Sequence, residues 1–143
     1  MIIKKLEEFG ITIDRLLDAG MALYIGSDEE KDVVRDKLKN VLLKQLNNPN
    51  VSTLLIAAIL LDKEGKANNL PFSYDEDPNY VYVDEVIGLA IANEIAGTKA
   101  IFNFRFYDAK KPGIIGELDK NGYVFLDDAI AGLLAGCMSK VFE

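Results

Sequence analysis

Apolar residues recur along most of this chain at the spacing of a helix face, and little of it alternates as a strand does. Residues 2–9 read as a short helix stopped by Gly10. Thr12 has the position of a cap for a second helix. That helix carries Ile13, Leu16, Leu17 and Met21 on one side, Asp14, Arg15 and Asp18 on the other, and Gly26 at its end. Ser27 followed three residues later by Glu30 is a capping-box pattern, which predicts a third helix to about Leu46. Val33, Val34, Leu38, Val41, Leu42 and Gln45 mark its buried stripe, and Asn47-Asn48-Pro49-Asn50 breaks it.

The run Val51 to Leu61 is apolar around nearly its whole circumference, and Ala57 and Ala58 favour helix over strand. A helix apolar all round belongs in the middle of a bundle, so this one is expected to be central. Residues 62–79 read as the long irregular segment, with Gly65, two prolines and the acidic cluster Asp75-Glu76-Asp77, a solvated loop. Val83 to Ala96 is a helix with Val86, Leu89, Ala90 and Ile95 available for packing and Gly97 as its stop. Residues 101–106 alternate like a strand, but Thr98 as a cap, Lys99-Ala100 and the flanking helices argue for helix, ended by Lys111-Pro112-Gly113. Asn121-Gly122 is a turn, and Leu126 to Phe142 is helical again. In that last helix Asp128, Gly132 and Gly136 fall at i, i+4 and i+8, a ridge almost bare of side chain that admits another helix or a ligand. The expectation is an all-α, multihelical bundle in a single domain over residues 1–143, with a central apolar helix surrounded by others.

Composition narrows what such a bundle does. The chain has no histidine and one cysteine, Cys137. That excludes His-dependent triads, phosphohistidine relays and the usual zinc sites, and it fits a reducing cytoplasm. Cys137 itself reads as a small core residue. The net charge of −7 argues against nucleic acid and against an anionic membrane surface as electrostatic partners. Met1-Ile2-Ile3 leads straight into Lys4, Lys5, Glu7 and Glu8, which lacks the apolar core of a secretory leader. The longest apolar run falls short of the about 20 residues that a spanning helix needs.

Three stretches concentrate the candidate chemistry. Asp84-Glu85 opens a helix, and adjacent helical residues point about 100° apart. One of the two can therefore face the interior while the other supports it, with Gly88 leaving open space one turn on. Arg105, Asp108 and Lys111 follow at i, i+3 and i+6, roughly on one side of a helix. Arg offers a planar fork for phosphate oxygens and Lys a compact positive charge, and the aromatic residues around Arg105 suggest partial burial. Asp127-Asp128 opens the helix with the bare ridge. Each stretch also has a plain explanation: acids in a first turn complement the helix dipole, and an Arg–Asp pair on a surface contributes little. Together they form a set of hard oxygen donors and cations suited to Mg²⁺ and phosphate. Residues 67–98 hold six acids and no base, whereas residues 99–120 hold five bases and three acids, as a metal lobe facing a phosphate lobe would.

Asp84-Glu85-Val86-x-Gly88, Phe104-Arg105-x-x-Asp108-x-x-Lys111-Pro112 and Asp127-Asp128-x-x-Ala131-Gly132 resemble the phosphatidylglycerophosphatase A family in residues, order and spacing. Gly10-Ile11-Thr12 with Leu16 and Leu17 resembles that family's soluble subgroup. Membrane-bound members carry transmembrane segments and an amino-terminal Gly-Thr-rich motif, neither of which is found in this sequence. The resemblance implies a multihelical fold and Mg²⁺-dependent hydrolysis of a phosphomonoester, with Mn²⁺ or another divalent cation as the alternative ion. On this reading Asp84, Glu85, Asp127 and Asp128 hold one or two metals, and Arg105 and Lys111 bind the phosphate attacked by metal-activated water. Asp108 is a ligand, an orienter or a nucleophile. The substrate is a phospholipid headgroup or a small soluble phosphate, such as the substrate of the related archaeal α-ribazole phosphate phosphatases of cobamide synthesis. A non-catalytic metal- or phosphate-binding protein and a purely structural helical oligomer are the alternatives. The bare ridge and the apolar helices suggest a homodimer or higher homo-oligomer.

Overall fold

In the computed structural model, which describes residues 1–143, the chain forms eight α-helices and no strand. They are α1 (Ile2–Glu7), α2 (Ile13–Met21), α3 (Asp28–Leu46), α4 (Pro49–Lys66), α5 (Val83–Ala96), α6 (Thr98–Lys110), α7 (Ile114–Lys120) and α8 (Leu126–Val141), with one 3-10 turn at Tyr74–Glu76. The all-α class is as expected, and several local signals act as read. Thr12 accepts the Arg15 N–H at 3.2 Å to start α2, and Ser27 and Glu30 close both halves of the capping box at α3. The break at residues 47–50 also starts the next helix: Asn48 accepts the Asn50 N–H at 2.9 Å, with Pro49 in the first turn of α4, where its missing N–H is no loss. Residues 101–106 are helical within α6.

Some boundaries differ from the pattern. α2 ends at Met21 rather than at Gly26, because tight bonds from Ala22 to Ala19 and from Tyr24 to Met21 turn the chain and fold Leu23 and Tyr24 onto the core. α4 runs to Lys66, so the irregular segment shortens to residues 67–82 around its 3-10 turn. Thr98 is not a cap: Gly97, at φ +68°, takes that position and Thr98 opens α6. α7, between Gly113 and Asn121, was not marked by any sequence pattern.

The larger correction concerns the centre. Val51–Leu61 does not supply it, since α4 leaves Thr53 exposed and Leu60 53% exposed. The central helix is α8. Every residue from Leu126 to Met138 is buried, and the helix packs against each of α2 to α7. Small side chains make this possible. A Cβ at Gly132 would stand 2.1 Å from the Gly88 carbonyl oxygen, and one at Gly136 would stand 2.8 Å from the Ile95 Cβ. The bare ridge therefore receives α5 rather than a ligand. This contact also sets the rotation of α5. Asp84, Ile87, Gly88, Ile91, Ala92 and Ile95 turn inward, whereas Val86, expected to pack, is half exposed and Leu89 and Ala90 are half-buried. In α3 the same effect leaves Val33 out of the buried stripe, which Val34, Leu38, Leu42, Gln45 and Leu46 form.

Candidate functional site

The end of α6 and the beginnings of α5 and α8 meet at one place, and each is held there by a local cause. α6 stops where Lys111 turns into the left-handed region (φ 45°, ψ 57°) ahead of Pro112. Such a conformation is costly for a side-chain-bearing residue and persists where surroundings enforce it. Gly116 leaves room for it, since a Cβ there would lie 2.6 Å from the Lys111 carbonyl oxygen. α8 has no capping side chain of its own at Phe125. Its free N–H groups donate instead to the buried Asp62 of α4: Phe125 at 3.0 Å, Leu126 at 2.8 Å and, just before them, Val124 at 3.0 Å. A distant carboxylate thus does the work of a cap.

The turn at Lys111 brings its ammonium among three carboxylates. Lys111 Nζ lies 3.2 Å from Asp127 Oδ2, 3.3 Å from Asp108 Oδ1 and 3.7 Å from Asp128 Oδ1. Asp128 also contacts the carboxyls of Asp108 and Asp84. Asp84, Asp127 and Asp128 are buried, and Asp84 Oδ1 and Asp127 Oδ1 have no hydrogen-bond partner. No three of the acidic side chains close around one point as a ready-made cage. The ammonium occupies the space between them.

Asp108, Asp127 and Asp128 face one ammonium and Asp84 adjoins Asp128, which leaves three of the four negative charges uncompensated when all are ionised. Burial pushes the Asp127 carboxyl up against the opposing pull of Lys111. Burial, the contacts with Asp108 and Asp84 and the charge of Asp127 push Asp128 up further. For Lys111, burial opposes the charged form, but Asp127, Asp128 and Asp108 outweigh it and the net shift is upward. Without another cation, these surroundings favour the protonated forms of Asp127 and Asp128.

The remaining expected residues sit around this centre. Glu85 is exposed at the rim, its carboxyl raised by partial burial and by Asp108 and Asp84. Arg105 is exposed, contrary to the partial burial expected. Phe102 and Phe106 themselves face outward, and the guanidinium lies over the Phe106 ring at 4.8 Å and makes no ion pair. Gly88 does not leave open space beside Asp84. A Cβ there would lie 2.5 Å from the Phe104 ring and 2.6 Å from the Asp128 carbonyl oxygen, so the space is filled by α6 and α8. Asp77, in the exposed acidic loop, joins the edge of the site: burial, then Asp84 and Asp119, raise its carboxyl while Lys111 opposes them. Asp62 and its partner Tyr74 were not singled out in the sequence. The available signal was negative, a helix beginning at Phe125-Leu126 with no side chain able to cap it.

The protein is thus a multihelical bundle with buried carboxylates gathered where three helix ends meet. The chain belongs to the phosphatidylglycerophosphatase A family, whose sequence profile matches residues 12–143. It is 86% identical over 127 residues to Uncharacterized protein MJ1330 of Methanocaldococcus jannaschii, covering 89% of this chain and all of that one. It is 31% identical over 105 residues to Uncharacterized protein YpjQ of Bacillus subtilis, covering 68% of this chain and 59% of YpjQ. Among solved structures, a protein of unknown function from Bacillus stearothermophilus superposes with a TM-score of 0.84 at 25% identity, over 98% of this chain and 94% of that one. The low temperature requirement C protein of Listeria monocytogenes superposes with a TM-score of 0.79 at 25% identity, over 99% and 92%. Family membership points to phosphatase-type chemistry. No helix is long and apolar enough to cross a membrane.

Proposed function

We propose that the chain is a divalent-metal-dependent phosphomonoesterase, with Mg²⁺ as the first choice of ion and Mn²⁺ as the alternative. Asp84, Asp127 and Asp128, with Glu85 at the rim, supply the oxygen donors. The observation that carries this reading is the pair of buried oxygens without partners, Asp84 Oδ1 and Asp127 Oδ1. A buried acceptor left without a donor is costly, and a hard cation satisfies it while offsetting the surplus negative charge. When bound, such an ion makes water a competent nucleophile at neutral pH and neutralises charge on the phosphoryl group.

The chain's own groups supply the rest. Lys111 presents a localised positive charge to a phosphate oxygen, and Asp108, 3.3 Å from its ammonium, orients it. Arg105, free of any carboxylate, offers a second, planar contact from the exposed side. A groove of about 480 Å³, lined by Leu61, Phe72, Tyr80, Tyr82, Val83 and Phe125 among others, opens beside the segments leading into both acid pairs. Val83 directly precedes Asp84, and Phe125 stands two residues before Asp127. This groove favours a phosphate ester with an apolar portion, such as a phospholipid headgroup with its chains, over a simple sugar phosphate. α-Ribazole phosphate is the soluble alternative. The homo-oligomer belongs to the same proposal. The bare ridge is taken up within the chain, and exposed Ile101, Phe102 and Phe106 of α6 offer one apolar surface for it.

Phosphate release with Mg²⁺, and with EDTA as the control, tests the reading across phosphatidylglycerophosphate, α-ribazole phosphate and sugar and nucleoside phosphates. Turnover that needs metal and disappears in Asp128→Asn, with helicity intact by circular dichroism, is the expected result. Equal hydrolysis by that variant across the panel would remove the cluster from the reaction.

A further inference from the structure

Asp62 is 1% exposed and forms four hydrogen bonds that tie three parts of the chain together. From α4 it accepts the Val124, Phe125 and Leu126 N–H groups, which fixes the start of α8 and with it Asp127 and Asp128. Its fourth donor is the Tyr74 hydroxyl at 2.5 Å. That hydroxyl in turn accepts the Val124 N–H at 3.2 Å. Tyr74 belongs to residues 67–82, the segment that leads into Asp84 and Glu85 and carries Asp77.

The Tyr74 ring is seated as deliberately as its hydroxyl. It lies on α4 at Gly65, where a Cβ would stand 2.0 Å from the ring, and it stacks on Phe125 with centroids 6.5 Å apart and planes 22° apart. Asp62 and Gly65 are one helical turn apart on the same side of α4, so one provides the acceptor and the other the space. Burial and the neighbouring Asp62 raise the Tyr74 hydroxyl above its ordinary value, which keeps it a donor.

We propose that Asp62 and Tyr74 are positioning residues of the site: a buried latch that fixes the α8 acid pair relative to the segment delivering the α5 acid pair. This rests on the reading of the cluster as a cation site. Neither residue contacts the cation. Together with the Gly88–Gly132 contact, they set the separation between donors that come from two helices and have no ready-made cage of their own. Support of this kind around metal ligands changes affinity or activity by about 10–100-fold when removed.

The test is Mn²⁺ and Mg²⁺ titration calorimetry on the full chain, with phosphate-release kinetics, for Tyr74→Phe and Asp62→Asn. Tyr74→Phe keeps the ring on Gly65 and Phe125 and removes only the hydroxyl. Tyr107→Phe is the control. It removes another buried tyrosine hydroxyl, one that donates to the Gly20 carbonyl at 2.7 Å and to no residue of the cluster. All proteins are compared below the melting onset of the least stable. The expected result is metal affinity weakened about tenfold or more in Tyr74→Phe and Asp62→Asn, with kcat reduced more than KM is raised. Tyr107→Phe should lose stability and keep its affinity. Unchanged affinity in Tyr74→Phe and Asp62→Asn, with wild type binding metal, overturns the latch alone. Absence of binding by wild type overturns the cation site and the latch with it.

Discussion

Gly132 of α8 rests against the Gly88 carbonyl of α5 so closely that a Cβ would stand 2.1 Å from that oxygen. No other glycine of the chain approaches backbone this closely. Because Gly88 is one turn beyond Asp84 and Gly132 one turn beyond Asp128, the same contact fixes the two acid pairs relative to each other.

Gly132→Ala therefore forces the two helices apart. Overpacking of this kind costs about 1–3 kcal/mol, and here the obstacle is backbone that cannot rotate away. The melting temperature should fall, and metal affinity should fall with it. An alanine variant that melts and binds as wild type does would mean that the helices separate without consequence for the site.

Lys111→Met removes the one ammonium among Asp108, Asp127 and Asp128. Breaking a fully buried ion pair costs about 3–5 kcal/mol, and since Lys111 retains 28% side-chain exposure the loss should lie at or below the low end. The destabilisation should be greatest in EDTA and smaller with Mg²⁺, which replaces part of the missing charge. Thermal melts in the two conditions measure this. A variant equally destabilised in both would show that the lysine and the added cation do not share a site.

Stability in EDTA should decrease as pH rises from the ordinary carboxylate range towards neutrality. Asp127 and Asp128 are raised by burial, so between their unfolded and folded values the folded chain binds more protons than the unfolded one. Stability falls with pH wherever the native state holds the extra protons. Saturating Mg²⁺ should flatten this slope by taking the place of the protons. Melting temperatures from pH 5 to 8 with and without Mg²⁺ are the measurement, and a metal-free protein that gains stability over that range would contradict the shifts.

Arg105→Ala separates substrate contact from folding. Arg105 is exposed and pairs with no acid, so its loss should change stability by no more than about 0.5 kcal/mol. If the guanidinium holds phosphate, KM for the phosphate ester rises or kcat falls. Kinetics indistinguishable from wild type would place Arg105 outside the site.

The helix starts at Thr12 and Ser27 were legible because each cap acts on the N–H three residues on. The acid and base motifs were legible as three stretches in series, through their resemblance to a family, since each taken singly has a plain explanation. The identity of the central helix was not. Val51–Leu61 and Leu126–Met138 are both apolar, and what distinguishes them is the set of small residues in α8 that lets neighbours approach from every side. Asp62 was out of reach of any local reading. Its partners in the α8 start lie 62 to 64 residues away, and a lone carboxylate after an apolar run looks like the end of a helix. The exposure of Arg105 was misread because aromatic neighbours imply burial only where they are buried themselves.

In the proposed site the buried oxygens of Asp84 and Asp127 are donors to a divalent cation. Calorimetric titration of Mg²⁺ into wild type, Asp84→Asn and Asp127→Asn is the decisive measurement. Saturable binding by wild type, lost or weakened at least tenfold in both variants while their helicity is retained, is the predicted result. No binding by wild type, or equal binding by all three proteins, would contradict that assignment.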